Sequence, residues 1–273
     1  MTDLTSPLKD RRLGGDGLLA WSARAWFLTA VVGQLAFVGF ILAFYGVSTL
    51  FGDFAAWNEK PMIDGHIEGD RTGNAMFAVH VLLASVMTTA GLMQLTPQIR
   101  NRAPTLHRFT GRVFLVTACI LAVGGLWLGW VRETRLSMVS LYALSINALL
   151  ILAFSAFTIR HAIRRQIATH QIWAMRLFMV ANGVWFLRVG MMAWVIIAQG
   201  PVGMNGALSG PMDVVLVFGC YLIPLALYEL YRSASASAHM PIKVAVAGLV
   251  GVATAVTALG VFGTVAFMWS PYL

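Results

Sequence analysis

Residues 244–269 read VAVAGLVGVATAVTALGVFGTVAFMW, without one charged side chain. About 20 apolar residues cross the hydrocarbon core of a bilayer as a helix. Six more stretches repeat the pattern: Ala25–Phe51, Ala75–Leu95, Val113–Val131, Leu136–Ile159, Ile172–Ala198 and Val214–Tyr231. Of the 273 residues, 59% are hydrophobic and 11% charged, and the mean hydropathy is +0.76. Soluble domains carry roughly 25% charged residues. A water-soluble fold, a disordered chain and a fibrous repeat are therefore excluded. The expected fold is all-α, a polytopic membrane bundle of seven transmembrane helices.

The net charge of +8 reads as topology, because no soluble segment is long enough to present a basic patch to nucleic acid. The lipid bilayer is the expected partner, and nucleic acid is not. Lys9, Arg11, Arg12 and Arg24 precede the first span. Arg100, Arg102, Arg108 and Arg112 separate the second from the third, and Arg160, Arg164, Arg165 and Arg176 the fourth from the fifth. Arg232 and Lys243 lie between the sixth and seventh. The opposite loops hold only Lys60, Arg71, Arg132 and Arg135. The positive-inside rule then predicts a cytoplasmic N-terminus and an outer C-terminus in a bacterial inner membrane. Trp127, Trp130, Trp269 and Tyr272 are expected at the outer interface, and Trp26, Trp173, Tyr228 and Tyr231 at the inner one. The first 24 residues are largely polar, and no cleavable signal peptide is expected. One membrane domain, 1–273, is read, with a core bundle at about 75–199 and spans 1, 6 and 7 peripheral. Cys119 and Cys220 lie in apolar runs and give no disulfide framework. Gly52–Asn74 reads as a solvated connector or as a lid over the outer mouth.

An ionisable residue inside the membrane is costly and is a functional candidate by default. His80 lies in the outer half of the second span, and Arg188 about ten residues short of the outer end of the fifth. His170 and Arg188 are 18 residues apart, five turns of a straight helix, which predicts one shared stripe. Small residues Ala84 and Gly91 share a face with His80 and suit it to packing. His80 and Arg188 are thus expected to face one cavity. Asp213, at the outer edge, is a candidate ion-pair partner for Arg188. Two basic turns also look alike, one carrying His107 at the start of the third span and one carrying His170 at the start of the fifth. Pro104 suits a first helical position and puts His107 in the first turn. Paired histidines on facing helices hold b-type haem iron, which makes His107 and His170 candidate iron ligands. A metal site joining His80 to His66 is a third possibility.

Leu106-His107-Arg108-Phe109-Thr110-Gly111-Arg112 and His170-Gln171-Ile172-Trp173-Ala174-Met175-Arg176 resemble the two motifs of an uncharacterised bacterial membrane family, domain-of-unknown-function family 2306. Those motifs run His-Arg-x-x-Gly-Arg and His-x-x-Trp-Met-x-Arg. The first is matched fully, and the second departs at Ala174. The resemblance covers Phe77–Val195. It implies a multi-pass architecture and directs attention to His80, His107, Arg108, Arg112, His170 and Arg176, without implying an activity. The arrangement is also similar, in architecture alone, to b561-type membrane cytochromes, although the outer pair of histidines is incomplete here.

These readings give a redox-type membrane protein that binds a b-type haem or a quinone through inward-facing His80, His107, His170 and Arg188, with Arg108, Arg112 and Arg176 beside them. A small transporter or channel, or a non-catalytic accessory subunit, is the alternative. Pro224 is the only proline deep in a span, and no Gly/Pro interruption marks a broken helix, which disfavours transport.

Overall fold

The computed structural model describes residues 14–60 and 64–273. Lys9, Arg11 and Arg12 lie outside the described residues. The described chain is helical with no strand. Six helices are long and apolar enough to span a membrane: α1 (Gly15–Phe51), α2 (Arg71–Leu95), α4 (Pro104–Trp130), α5 (Met138–Ile163), α8 (Pro211–Ala236) and α9 (Met240–Tyr272). The short α3 (Pro97–Arg102) precedes α4. The fifth span is two helices, α6 (Ile167–Ala181) and α7 (Gly183–Ile197), bent by 53°. Six spans, or seven if the bent pair crosses as one, stand against the seven that the sequence predicts, and the fifth of these is broken. The helices outrun the apolar stretches because their ends continue into the headgroup layer, where polar side chains are tolerated.

The ends follow local chemistry. Asp70 caps α2, accepting from Gly73 N at 2.8 Å. Ser137 and Ser140 cap α5 reciprocally. Pro104 opens α4 and Pro211 opens α8, positions where the missing N–H costs nothing. Pro224 lies inside α8 without dividing it. The true break is at Asn182, whose side-chain amide and backbone N–H both donate to Phe178 O, at 2.8 and 3.3 Å, a local side-chain bond that competes with the helical ladder.

That bend divides the packing. Below it, α6 packs with α2, α4 and α5 around Met87, Phe114, Ala118, Ile151 and Phe178. Above it, α7 turns towards α1 and α9 and joins a second core of Phe37, Phe40, Phe44, Trp185, Val261 and Trp269. Trp269, expected at the interface, is only 2% exposed. Its ring centroid lies 5.5 Å from Phe37 and 5.4 Å from Phe40. Single π-helical stretches, Ile41–Gly46 in α1 and Thr264–Trp269 in α9, run through this second core. Such stretches recur at functional sites.

Helix α9 crosses α7 at Gly260, where an added Cβ would overlap the Val189 carbonyl oxygen. Gly260→Ala should therefore destabilise the protein by about 1–3 kcal/mol, as overpacking does. Gly248→Ala, on an open face of the same helix, should cost nothing. Melting of the two variants in detergent checks this, and equal melting temperatures would refute the crossing.

Candidate functional site

A cavity of about 310 Å3 lies beside the second core, walled by α1, α2, α4, α5, α7, α8 and α9, towards the end that carries the loop between α1 and α2. That is the lower end of the range for small-molecule sites, about 300–1,000 Å3. Its walls are mostly apolar: Phe37, Phe40 and Ile41 of α1, Leu128 of α4, Leu141 of α5, Met191 of α7 and Met268 of α9. A deeper chamber of about 90 Å3 adjoins it and shares His80, Gly125 and Asn147 among its walls. Spans 1, 6 and 7 all reach the larger cavity, through Phe37, Tyr221 and Met268.

His80 is held by the sequence of its neighbour. A Cβ at Gly124 would lie 3.3 Å from its Nδ1, and one at Gly125 3.4 Å from its Cε1. Two successive glycines on α4 thus leave the groove that the imidazole fills. Nδ1 is enclosed and has no hydrogen-bond partner. Nε2 is the ring nitrogen left to meet a ligand.

Arg188 lines the same cavity as His80. One of its terminal nitrogens donates to Val184 O at 3.0 Å, and its guanidinium lies 5.6 Å from the Phe37 ring centroid. The ion pair with Asp213 does not form. Asp213 is wholly buried, and its Oδ2 accepts from Asn205 N at 2.8 Å and Gly210 N at 3.0 Å, closing the turn that starts α8. The stripe shared with His170 does not exist either, because that arithmetic assumes a straight helix and the bend at Asn182 separates the two residues.

A third cation comes from the loop. Lys60 Nζ lies 5.7 Å from the Phe40 ring centroid and forms no ion pair among the described residues. Burial, and secondarily the charge of Arg188, push its pKa from 10.5 down to about 7. Arg135 also reaches the cavity, with exposed Glu133 at 3.4 Å. Among the described residues no aspartate or glutamate lines the cavity.

The loop folds over the mouth. Trp57 is 2% exposed and packs on Phe54 and Phe77. Asn58 clamps the backbone of His66 with bonds of 2.8 and 2.9 Å. Arg132, between α4 and α5, pairs with Asp70 at 2.9 Å and donates to Gly65 O at 3.0 Å and Asn74 Oδ1 at 2.6 Å. That hydrogen bond holds the Asp70 carboxyl below its usual pKa. His66 stacks on Phe54, with ring centroids 6.2 Å apart. No group of three His, Cys, Asp or Glu able to hold a metal ion occurs among the described residues.

At the opposite end, His107 and His170 lie in the first turns of α4 and α6. The charge of His170 bears on His107. His170 Nδ1 lies 3.0 Å from Thr158 O, and His107 Nδ1 is enclosed without a partner. About two turns further in, Phe114 and Phe178 fill the space between the helices, with centroids 6.4 Å apart. Arg176 bonds Glu229 of α8 at 2.6 Å and lies over Trp173 at 4.4 Å. Arg108 and Arg112 are exposed.

Residues 77–232 match a family described as predicted membrane protein, DUF2306. The chain belongs to this family. The family region takes in His80, His107, His170 and Arg188, whereas Lys60, Phe37 and Met268 lie outside it. No characterised protein and no solved structure matches the chain.

Sequence reasoning missed Lys60 and Tyr45 as cavity residues. Tyr45 stands at helical spacing from Phe37 and Ile41, a signal the pattern carried. Lys60 had none, since only the fold of the loop puts its side chain in the cavity. Lys60 should titrate near neutrality, and Arg188→Gln should move its midpoint upward, because removing a nearby positive charge favours the ammonium. Burial, the larger cause, stays, so the midpoint should remain below 10.5. Acylation of Lys60 followed against pH by mass spectrometry measures both, and an unmoved midpoint would deny the coupling.

Proposed function

We propose that this membrane protein binds a b-type haem in the cavity beneath the loop. His80 would supply the axial nitrogen, and Lys60 and Arg188 would neutralise the two propionates. The observation that carries the reading is the pair of half-buried cations in a cavity that no carboxylate lines, beside a histidine with a free ring nitrogen. Burying an unpaired charge costs several kcal/mol. A quinone is neutral and would leave both cations uncompensated, whereas a porphyrin brings two carboxylates on an apolar ring. Bound haem supplies one-electron chemistry. The chain's own part is to hold the imidazole against Gly124 and Gly125 and to exclude water with Trp57. The cavity is favoured over the His107–His170 pair because Phe114 and Phe178 close the interior beside that pair.

Protein purified after haem-sufficient growth should show a Soret band and yield extractable haem b. His80→Ala should abolish both, and Arg188→Gln should weaken haem retention by about tenfold or more, a loss of at least 1.4 kcal/mol. Colourless protein from such growth would overturn the reading.

One observation favours a second reading, transport of an anionic solute. The fifth span is broken beside the cavity, as transporter helices are at their sites. Uptake of an organic anion by proteoliposomes, with no haem in the protein, would establish it. The basic asymmetry supports a cytoplasmic N-terminus in a bacterial inner membrane. Reporter fusions at Leu273 should accordingly be active only outside the cytoplasm, and cytoplasmic activity would reverse the orientation.

A further inference from the structure

The end of the bundle remote from the cavity carries a second concentration of unpaired charge. Arg100 and Arg102 on α3, with Arg108 and Arg112 in the first turns of α4, are exposed. So are Arg160, Arg164 and Arg165 at the turn from α5 to α6. None of the seven enters an ion pair among the described residues. Residues 96–113 and 159–177 contain no aspartate or glutamate, so no internal counter-charge is at hand. Arg176, the neighbouring arginine, is already taken by Glu229.

The two turns form one patch. α4 starts and α5 ends at this end and the two helices pack together, His170 Nδ1 of α6 lies 3.0 Å from Thr158 O of α5, and the charges of Arg100 and His170 both bear on His107. The same turns expose large apolar side chains: Leu106 is 41% exposed, Phe109 62%, Ile163 77% and Ile167 57%. In water these would be a liability. At the boundary between acyl chains and headgroups they are at home, and they fix the depth of the arginines at the level of lipid phosphates. A soluble acidic protein or a nucleic acid would meet the guanidinium groups but leave these side chains uncovered. Neither turn contains a lysine, and a guanidinium offers phosphate two parallel hydrogen bonds where an ammonium offers a point charge.

We propose that this rim binds the headgroup of an anionic phospholipid, seated between the α3–α4 turn and the α5–α6 turn. The lipid phosphate would tie the α2–α4 hairpin to the α5–α6 hairpin across two turns that hold no carboxylate of their own. The proposal is independent of whatever occupies the cavity.

The full-length protein in mild detergent tests it, by native mass spectrometry and by melting with added lipid. Phosphatidylglycerol should be retained and should raise the melting temperature, and phosphatidylcholine should do neither. Glycerol phosphate, the headgroup without acyl chains, should not substitute. Arg108→Gln with Arg164→Gln should lower phosphatidylglycerol retention by about tenfold. Arg71→Gln, at the lid end of α2, should leave it unchanged. Equal retention of the two lipids by the unmodified protein would overturn the proposal, and that comparison stands even where a variant fails to fold. An equal effect of glycerol phosphate would also overturn it, by making the patch a site for phosphate alone. Retention unchanged in the double variant would do the same.

Discussion

The interruption of the fifth span at Asn182 is the constraint on which the rest of the structure depends. A straight helix there would carry its whole length along α5 and close the bundle on itself. Instead Asn182 turns its amide back onto Phe178 O, and Gly183 follows. A Cβ at Gly183 would stand 2.9 Å from Asn147 Nδ2, so the bend also needs a residue with no side chain opposite α5. One helix thereby serves two cores, α6 the lower and α7 the upper. The cavity opens on the α7 side of the break, where Gly183, Val184, Leu187, Arg188 and Met191 form one of its walls.

Because α7 leans away from the bundle, Arg188 turns into the cavity rather than towards lipid. Its neighbours there are an aromatic face and a backbone carbonyl, which hold a guanidinium less firmly than a carboxylate does. Lys60 enters from above under the same conditions and responds by losing its preference for the charged form. Arg188 has no such escape, since a guanidinium does not deprotonate in proteins. The protein thus keeps a fixed positive charge beside one that responds to pH. It also places its carboxylates elsewhere: Asp70 on Arg132, Glu229 on Arg176, and Asp213 on the backbone at the start of α8. With these three acids engaged elsewhere, no aspartate or glutamate among the described residues lines the cavity beside the two cations.

The apolar runs made the number and order of spans legible, because crossing hydrocarbon requires that composition of any helix. Pro104 at the start of α4, with His107 in the first turn, was legible for the same kind of local reason. The break was not. Asn182-Gly183 carries no proline, and asparagine inside a helix is unremarkable until its side chain is seen bonded back to Phe178 O beside its own backbone N–H. The companionship of His80 with Arg188 was foreseen, but one leg of that inference, the stripe shared with His170, assumed a straight helix. Asp213 was misjudged because sequence position put it at the right height, while its bonds to Asn205 and Gly210 depend on a turn that no periodicity reports. Lys60 depended on the loop fold, which Arg132 secures from more than sixty residues away in sequence.

The cavity is assembled from two sources, and this bears on which part sets its chemistry. The region matching the family supplies His80, Asn147 and Arg188 on helices whose lower halves are locked in the first core. The facing wall, Phe37 to Tyr45 with Lys60 and Met268, comes from α1, the loop and α9, outside that region. Substitutions on this second wall would change the width and charge of the cavity while leaving the lower core and its caps untouched. Substitutions at Asn182 or Gly183 would instead alter the angle between α6 and α7, and with it the α7 wall of the cavity. The width and charge of the cavity are therefore open to change on α1, the loop and α9, whereas the bend that brings Arg188 to it lies at Asn182.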